Sequence, residues 1–191
     1  MNPSFLAKLQ ALQQQRVSSV NNAPHGLYLS NVKNSNKNTN FAKVLFIPPG
    51  LGKDKVNHLS QIGAIKAEGV NNDYPEDSIK EFVSTIHMIK PKVVIAGSRG
   101  TALVREMLKT TVVPKWIILF GPVHLSEFFK ISKDKQVKIL IVHGTKDGNE
   151  KIETVRSLVQ EHKAKLVEIR DQGHSLNIEP NNLRKIIKYW S

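Results

Sequence analysis

Strand-length apolar runs with almost no polar alternation constrain this chain more than any other feature. Val44–Ile47 (VLFI), Val93–Ala96 (VVIA), Trp116–Phe120 (WIILF) and Val137–Val142 (VKILIV) are four such runs. A strand that meets water on one face alternates apolar and polar side chains, whereas a strand covered on both faces need not. Between the runs lie helix-like segments. Residues 76–90 place Ile79, Phe82, Val83, Ile86 and Ile89 on one stripe, closed by Pro91, and residues 99–109, 149–162 and 180–190 also read as helices. Residues 165–169 read as a further strand, and a strand is expected around Ile62–Lys66 within the less legible stretch 54–72. Buried strands alternating with helices predict an α/β fold: a three-layer, doubly wound, mostly parallel sheet with helices on both faces.

The first forty residues differ from the rest. They contain no Asp or Glu, and acid first appears at Asp54. Asn and Gln are dense, as in Gln13-Gln14-Gln15 and Asn31–Asn40. Phe5, Leu6, Leu9, Leu12 and Arg16 fall on helical spacing, so an amphipathic helix capped by Ser4 is expected to about Val20. The division expected is a polar extension, 1–40, followed by one catalytic-sized domain, 41–191. The extension resembles an organelle transit peptide in lacking acid, but Lys8 and Arg16 are the only cations of its helix. No secretory signal is read at the N-terminus, no apolar run approaches bilayer length, and there is no cysteine. A cytoplasmic protein is therefore expected.

The formal charge of +12 allows weak contact with polyanions or an anionic membrane through a basic surface. Lysines are scattered rather than clustered, so specific nucleic-acid binding is not expected. Gly50-Leu51-Gly52-Lys53-Asp54 looks superficially like a phosphate-binding loop. It has Ile47 and Asp54 where that loop requires Gly and Ser/Thr. No Gly-x-Gly-x-x-Gly follows a strand, and the seven histidines form no His-x-x-x-His pair, so neither a cofactor nor a metal is expected.

Chemistry collects where such strands end. Ala96-Gly97-Ser98-Arg99-Gly100 joins a strand to a helix with small residues two before and two after the serine. That spacing suits a tight, strained turn that lifts a hydroxyl into the open, although a serine after a strand commonly just caps the next helix. His143-Gly144-Thr145-Lys146-Asp147 follows the VKILIV run, and Asp171-Gln172-Gly173-His174-Ser175 follows the strand ending near Ile169. Asp147 read alone is a turn residue, and His174 a polar loop residue. The order Ser, Asp, His at successive strand ends turns three weak signals into one constellation. Asp171 is a rival acid, but it would have to reach back along its own loop to meet His174. His124 and His143 also sit at strand ends, where they either line the pocket or, the reading preferred, act as hydrogen-bonding supports.

From Lys43 onward, about three-quarters of its length, the chain resembles the α/β-hydrolase superfamily, especially its compact, lidless carboxylesterase, thioesterase and dienelactone-hydrolase-like members. The resemblance implies Ser98 as nucleophile, Asp147 as the acid that orients the imidazole, and His174 as general base and then acid. It implies an oxyanion hole from the Arg99 N–H and, by match of Pro49-Gly50-Leu51-Gly52 to the family's His-Gly-x-Gly loop, the Leu51 N–H, with Gly50 next. Pro49 replaces the usual His. Only sixteen residues, Gly121 to Gln136, separate the third and fourth runs, room for a short helix near Ser126–Ile131 and no cap domain. The expected activity is hydrolysis of a carboxylic ester or thioester on a small-molecule or acylated substrate. The alternative is an inactive binding or scaffold protein of the same fold that works through its basic surface. The Arg99 side chain stands beside the nucleophile, where it either attracts a carboxylate or phosphate of the substrate or pairs with a nearby acid.

Overall fold

The computed structural model describes residues 43–67, 70 and 78–190. The amphipathic helix read at Ser4 to Val20, and the rest of the 1–40 extension, lie outside the described residues. The elements run β1 (Val44–Phe46), α1 (Lys53–Gln61), β2 (Ile65–Lys66), α2 (Ile79–Ile89), β3 (Val93–Gly97), α3 (Gly100–Leu108), β4 (Trp116–Phe120), α4 (Leu125–Ser132), β5 (Lys138–Gly144), α5 (Ile152–Glu161), β6 (Lys165–Ile169) and α6 (Pro180–Trp190). All six strands are parallel, in the order β2-β1-β3-β4-β5-β6.

Alternate residues of each central strand feed opposite cores, as the two-residue period of a strand requires. Leu45, Val94, Ala96, Ile117, Leu119, Ile139 and Ile141 pack with Phe82 and Ile86 of α2, Leu103 and Met107 of α3, Phe128 and Phe129 of α4, and Val155 of α5. Val44, Phe46, Val93, Ile95, Ile118, Phe120, Leu140 and Val142 face the other way, onto Leu59 of α1 and Leu183 and Ile187 of α6. Four helices thus cover one face and two the other. This double cover is why β1, β3 and β4 read as continuous apolar runs. The edges behave differently: β2 is only two residues long, and β6 exposes Lys165 and Glu168. Short or charged edges leave little template for pairing with another chain.

Local signals explain the boundaries. Helix α2 ends at Lys90, in the left-handed conformation at φ 46°, directly before Pro91. Pro180 opens α6 at the first helical position, where its missing N–H costs nothing. Strand β5 runs two residues past the expected Val142, because His143 and Gly144 pair with Glu168 and Ile169 of β6. Helix α5 starts at Ile152 rather than 149, since Asp147, Asn149 and Glu150 are bonded into the turn before it.

The sheet order reverses direction between β1 and β3, the strands flanking β1 being β2 on one side and β3 on the other. Loops leaving adjacent strands at such a point diverge and open a crevice at the carboxyl edge, the usual ligand position of open α/β sheets. The two loops that meet there are 47–52 and 97–99.

Candidate active site

Ser98 sits at the tip of the β3–α3 turn with φ 45°, a conformation that costs a non-glycine residue about 1–3 kcal/mol. Its own N–H is held by the Phe120 carbonyl at 3.1 Å, and its carbonyl accepts the Thr101 N–H at 3.0 Å. The small flanking residues are steric necessities. A Cβ on Gly97 would stand 3.0 Å from the Gly50 carbonyl and 3.1 Å from that of Phe120, and one on Gly100 would stand 2.9 Å from the Pro49 carbonyl. The turn is therefore pressed between β1's loop and β4, and its hydroxyl is what remains free to point outward.

The Ser98 hydroxyl donates to His174 Nε2 at 2.7 Å, and His174 Nδ1–H donates to Asp147 Oδ2 at 2.9 Å. The three side chains come from the ends of β3, β5 and β6, 76 and 27 residues apart in sequence from His174. The Asp147 side chain is fully buried, whereas that of His174 is 28% exposed. The Asp147 Oδ1 accepts the Asn149 N–H at 2.9 Å, which fixes the carboxylate plane. His143, fully buried, donates Nε2–H to the Glu150 carbonyl at 2.7 Å, with that nitrogen 3.8 Å from Asp147 Oδ2. It closes the turn that carries the acid. Asp171 turns away instead: it pairs with Lys146 at 2.8 Å, and its side chain is 74% exposed.

Two glycines not singled out by sequence set the reach of His174. A Cβ on Gly144 would lie 2.3 Å from the Gln172 carbonyl and 2.6 Å from that of Gly173, so the histidine loop crosses directly over the end of β5. Gly121, at φ 48°, would bring a Cβ within 2.9 Å of the His174 carbonyl. Their only sequence signal is position: each is a glycine at or just past a strand end. From the other side, Lys55 Nζ–H donates to the Ser175 carbonyl at 2.8 Å, which ties α1 to the residue after His174. Burial pulls the Lys55 ammonium below its ordinary pKa, with the neighbouring Asp54 opposing that shift.

The loop after β1 differs from the expectation. The Leu51 N–H donates to the Pro48 carbonyl at 3.1 Å and the Leu51 side chain is buried, so this amide closes a four-residue turn and is not presented to the serine. Gly50 is the residue that touches the elbow. At φ 77° it packs so closely that a Cβ would fall 2.4 Å from the Gly97 carbonyl and 2.5 Å from Ser98 Cβ. Arg99, exposed, follows Ser98 and leads into α3.

No protein-family model matches the chain, and no curated protein matches it in sequence. Solved structures do match in shape. A CIB-like hydrolase from Thermoplasma acidophilum aligns with TM-score 0.57 at 17% identity, over 80% of this chain and 88% of that one. An Agrobacterium tumefaciens protein of unknown function, assigned to the α/β hydrolases, aligns with TM-score 0.55 at 15% identity, over 78% and 84%. The chain has the α/β-hydrolase fold. Esterase 2 of Thermogutta terrifontis, in a form phosphorylated by paraoxon, aligns with TM-score 0.54 at 14% identity, over 76% and 80%. Between β4 and β5 the chain carries only the eight-residue α4, so no cap domain is inserted there. Among the described residues no helix is long and apolar enough to cross a membrane.

Proposed function

We propose that the protein is a serine hydrolase that cleaves a carboxylic ester or thioester through Ser98, His174 and Asp147. The observation that carries this reading is the unbroken path from hydroxyl to imidazole to buried carboxylate, at 2.7 and 2.9 Å, on a turn that holds its serine at positive φ. A hydroxyl is a poor nucleophile until an imidazole takes its proton, and the imidazolium needs a fixed anion behind it.

In the first half-reaction the Ser98 oxygen bonds to the scissile carbonyl carbon while its proton passes to His174 Nε2. The oxyanion that forms is met by the Arg99 N–H and, since the Gly50 backbone packs on Ser98, by the Gly50 N–H. Collapse expels the alcohol or thiol, which takes the proton from His174, and leaves an acyl-serine. Water then gives its proton to His174 and attacks the acyl carbon, and the imidazolium returns that proton to Ser98 as the acid departs. The chemistry calls for neither metal nor organic cofactor.

The test is a fluorophosphonate probe on the full chain, read by mass spectrometry of the modified peptide. A stoichiometric adduct on Ser98, absent in His174→Ala, is the expected result. No adduct on folded protein would overturn the reading in favour of a binding protein with this fold. A second expectation concerns the glycine under the histidine loop. Gly144→Ala should lower kcat/KM for a nitrophenyl ester roughly a hundredfold, because a displacement of about 1 Å in a catalytic group costs that much. Circular dichroism should show the fold retained.

A further inference from the structure

Lysines scattered in the sequence are gathered by the register of the sheet. Lys43, Lys92 and Lys115 stand directly before β1, β3 and β4, and Lys138 is the first residue of β5. Backbone bonds set them side by side: the Lys92 N–H donates to the Lys43 carbonyl at 3.0 Å, the Trp116 N–H to the Lys92 carbonyl at 3.1 Å, and the Lys138 N–H to the Lys115 carbonyl at 3.0 Å. Neighbouring strands lie about 4.8 Å apart, so the four form a line of about 14 Å along the amino edge of the sheet, opposite the edge that carries Ser98. All four are exposed, and none forms an ion pair among the described residues. The Lys138 ammonium lies 4.9 Å from the centre of the Trp116 ring. The segments entering β3 and β4, 87–92 and 109–115, contain no acid, and the one entering β5 holds Asp134 between Lys133 and Lys135. Helix dipoles, felt within about one turn, do not account for the line: Lys115 and Lys138 stand well past the ends of α3 and α4, and Lys43 follows no described helix. Among the described residues the exposed large apolar side chains are Met88, at 48%, and Val113, at 37%. Both stand on this same edge, in the last turn of α2 and two residues before Lys115.

We infer that the amino edge of the sheet is a docking surface for an anionic lipid bilayer. Ammonium groups on flexible stems meet an array of mobile headgroup phosphates and carboxylates as point charges. Reading a base edge in nucleic acid calls for planar forks, which none of the four lysines offers. Met88 and Val113 have nothing to contact on a phosphate backbone, whereas between headgroups they reach the acyl boundary. Residues 1–42, with four cations and no acid, join the domain at Lys43, so further positive charge is attached to the same edge. Lys92 and Ser98 are six residues apart along β3, about 20 Å of extended chain, and a protein seated on its amino edge therefore holds Ser98 toward solvent. The inference goes beyond the proposed hydrolase and does not depend on it.

The experiment is co-sedimentation of the full chain with vesicles of phosphatidylcholine containing about a third phosphatidylserine, against vesicles of phosphatidylcholine alone. Binding to the anionic vesicles only, falling as salt is raised, is the expected result. Combined Lys43→Gln, Lys92→Gln and Lys115→Gln should lower the partition coefficient by about tenfold or more. Met88→Ser should weaken binding several-fold with the salt dependence unchanged, because it removes apolar contact and no charge. Both variants should keep the wild-type circular dichroism and the wild-type fluorophosphonate labelling of Ser98, since the altered side chains are exposed and on the opposite edge. A fourth sample replaces Lys8, Arg16, Lys33 and Lys37 by Gln. Loss of vesicle binding in that sample, with binding retained in the triple lysine variant, would overturn the edge in favour of the N-terminal segment. Equal binding to neutral vesicles, or none to anionic ones, would also overturn it, and capture of a short DNA duplex in place of vesicles would reassign the lysine line to nucleic acid. Labelling of Ser98 reports on the hydrolase separately, so either reading can fail while the other stands.

Discussion

Ser98→Ala is expected to reduce kcat on any ester the protein cleaves by roughly a factor of 10⁶, with the fold unchanged. The size follows from what is removed. Alanine leaves His174 and Asp147 paired but deletes the atom that bonds to carbon, so only positioning and oxyanion donors remain. The fold should persist because the serine's structural bonds are made by its backbone: N–H to Phe120 at 3.1 Å and carbonyl to Thr101 at 3.0 Å. A companion measurement separates catalytic strain from structural need. Alanine retains the cost of φ 45°, whereas Ser98→Gly relieves it, since glycine visits positive φ freely. Ser98→Gly should therefore be as inactive as Ser98→Ala yet more stable than it by about 1 kcal/mol in urea titration. A glycine variant no more stable than the alanine one would mean that the turn holds its serine without strain. Residual activity in Ser98→Ala near the wild-type level would mean that another group is the nucleophile.

The legible parts of this fold were those fixed by burial on two faces. Trp116–Phe120 could be read to the residue because neither face of β4 tolerates a polar side chain in its interior. Residues 180–190 could be read as helix because Pro180 and the apolar spacing of Leu183 and Ile187 agree. The two-residue β2 was only roughly placed, since an edge strand that short has too few side chains to show a period. The same distinction runs through the site. Ser98, Asp147 and His174 could be gathered from sequence because strand ends in a parallel sheet lie along one edge, whatever the side chains between them. The Leu51 amide could not be assigned that way. Its direction depends on how Pro48-Pro49-Gly50 turns, and a turn that spends the Leu51 N–H on Pro48 looks the same in sequence as one that frees it. Gly144 was opaque for a different reason: the backbone it accommodates belongs to a loop nearly thirty residues later.

Asp147→Asn carries the other large effect, a fall in kcat of about 10⁴. In the native site both carboxylate oxygens accept: Oδ1 from the Asn149 N–H and Oδ2 from His174 Nδ1–H, each at 2.9 Å. An amide can keep only one of these. The Asn149 N–H is part of a fixed turn and cannot become an acceptor, whereas the imidazole can move its proton from Nδ1 to Nε2. The buried His143 Nε2, at 3.8 Å and already bonded to the Glu150 carbonyl, is too distant to reverse that choice. The amide NH₂ therefore faces His174, and Nδ1 becomes an acceptor. Nε2 then carries the proton, and the lone pair that should receive the Ser98 proton is gone. Because the defect is one of tautomer, fluorophosphonate labelling of Ser98 should slow in parallel with ester hydrolysis while thermal unfolding changes little. Asp171→Asn supplies the contrast. Its carboxylate pairs with Lys146 in solvent, and such pairs contribute little, so activity should stay close to that of the wild type. If Asp171→Asn were the damaging change and Asp147→Asn the silent one, the acid would have been assigned to the wrong strand end.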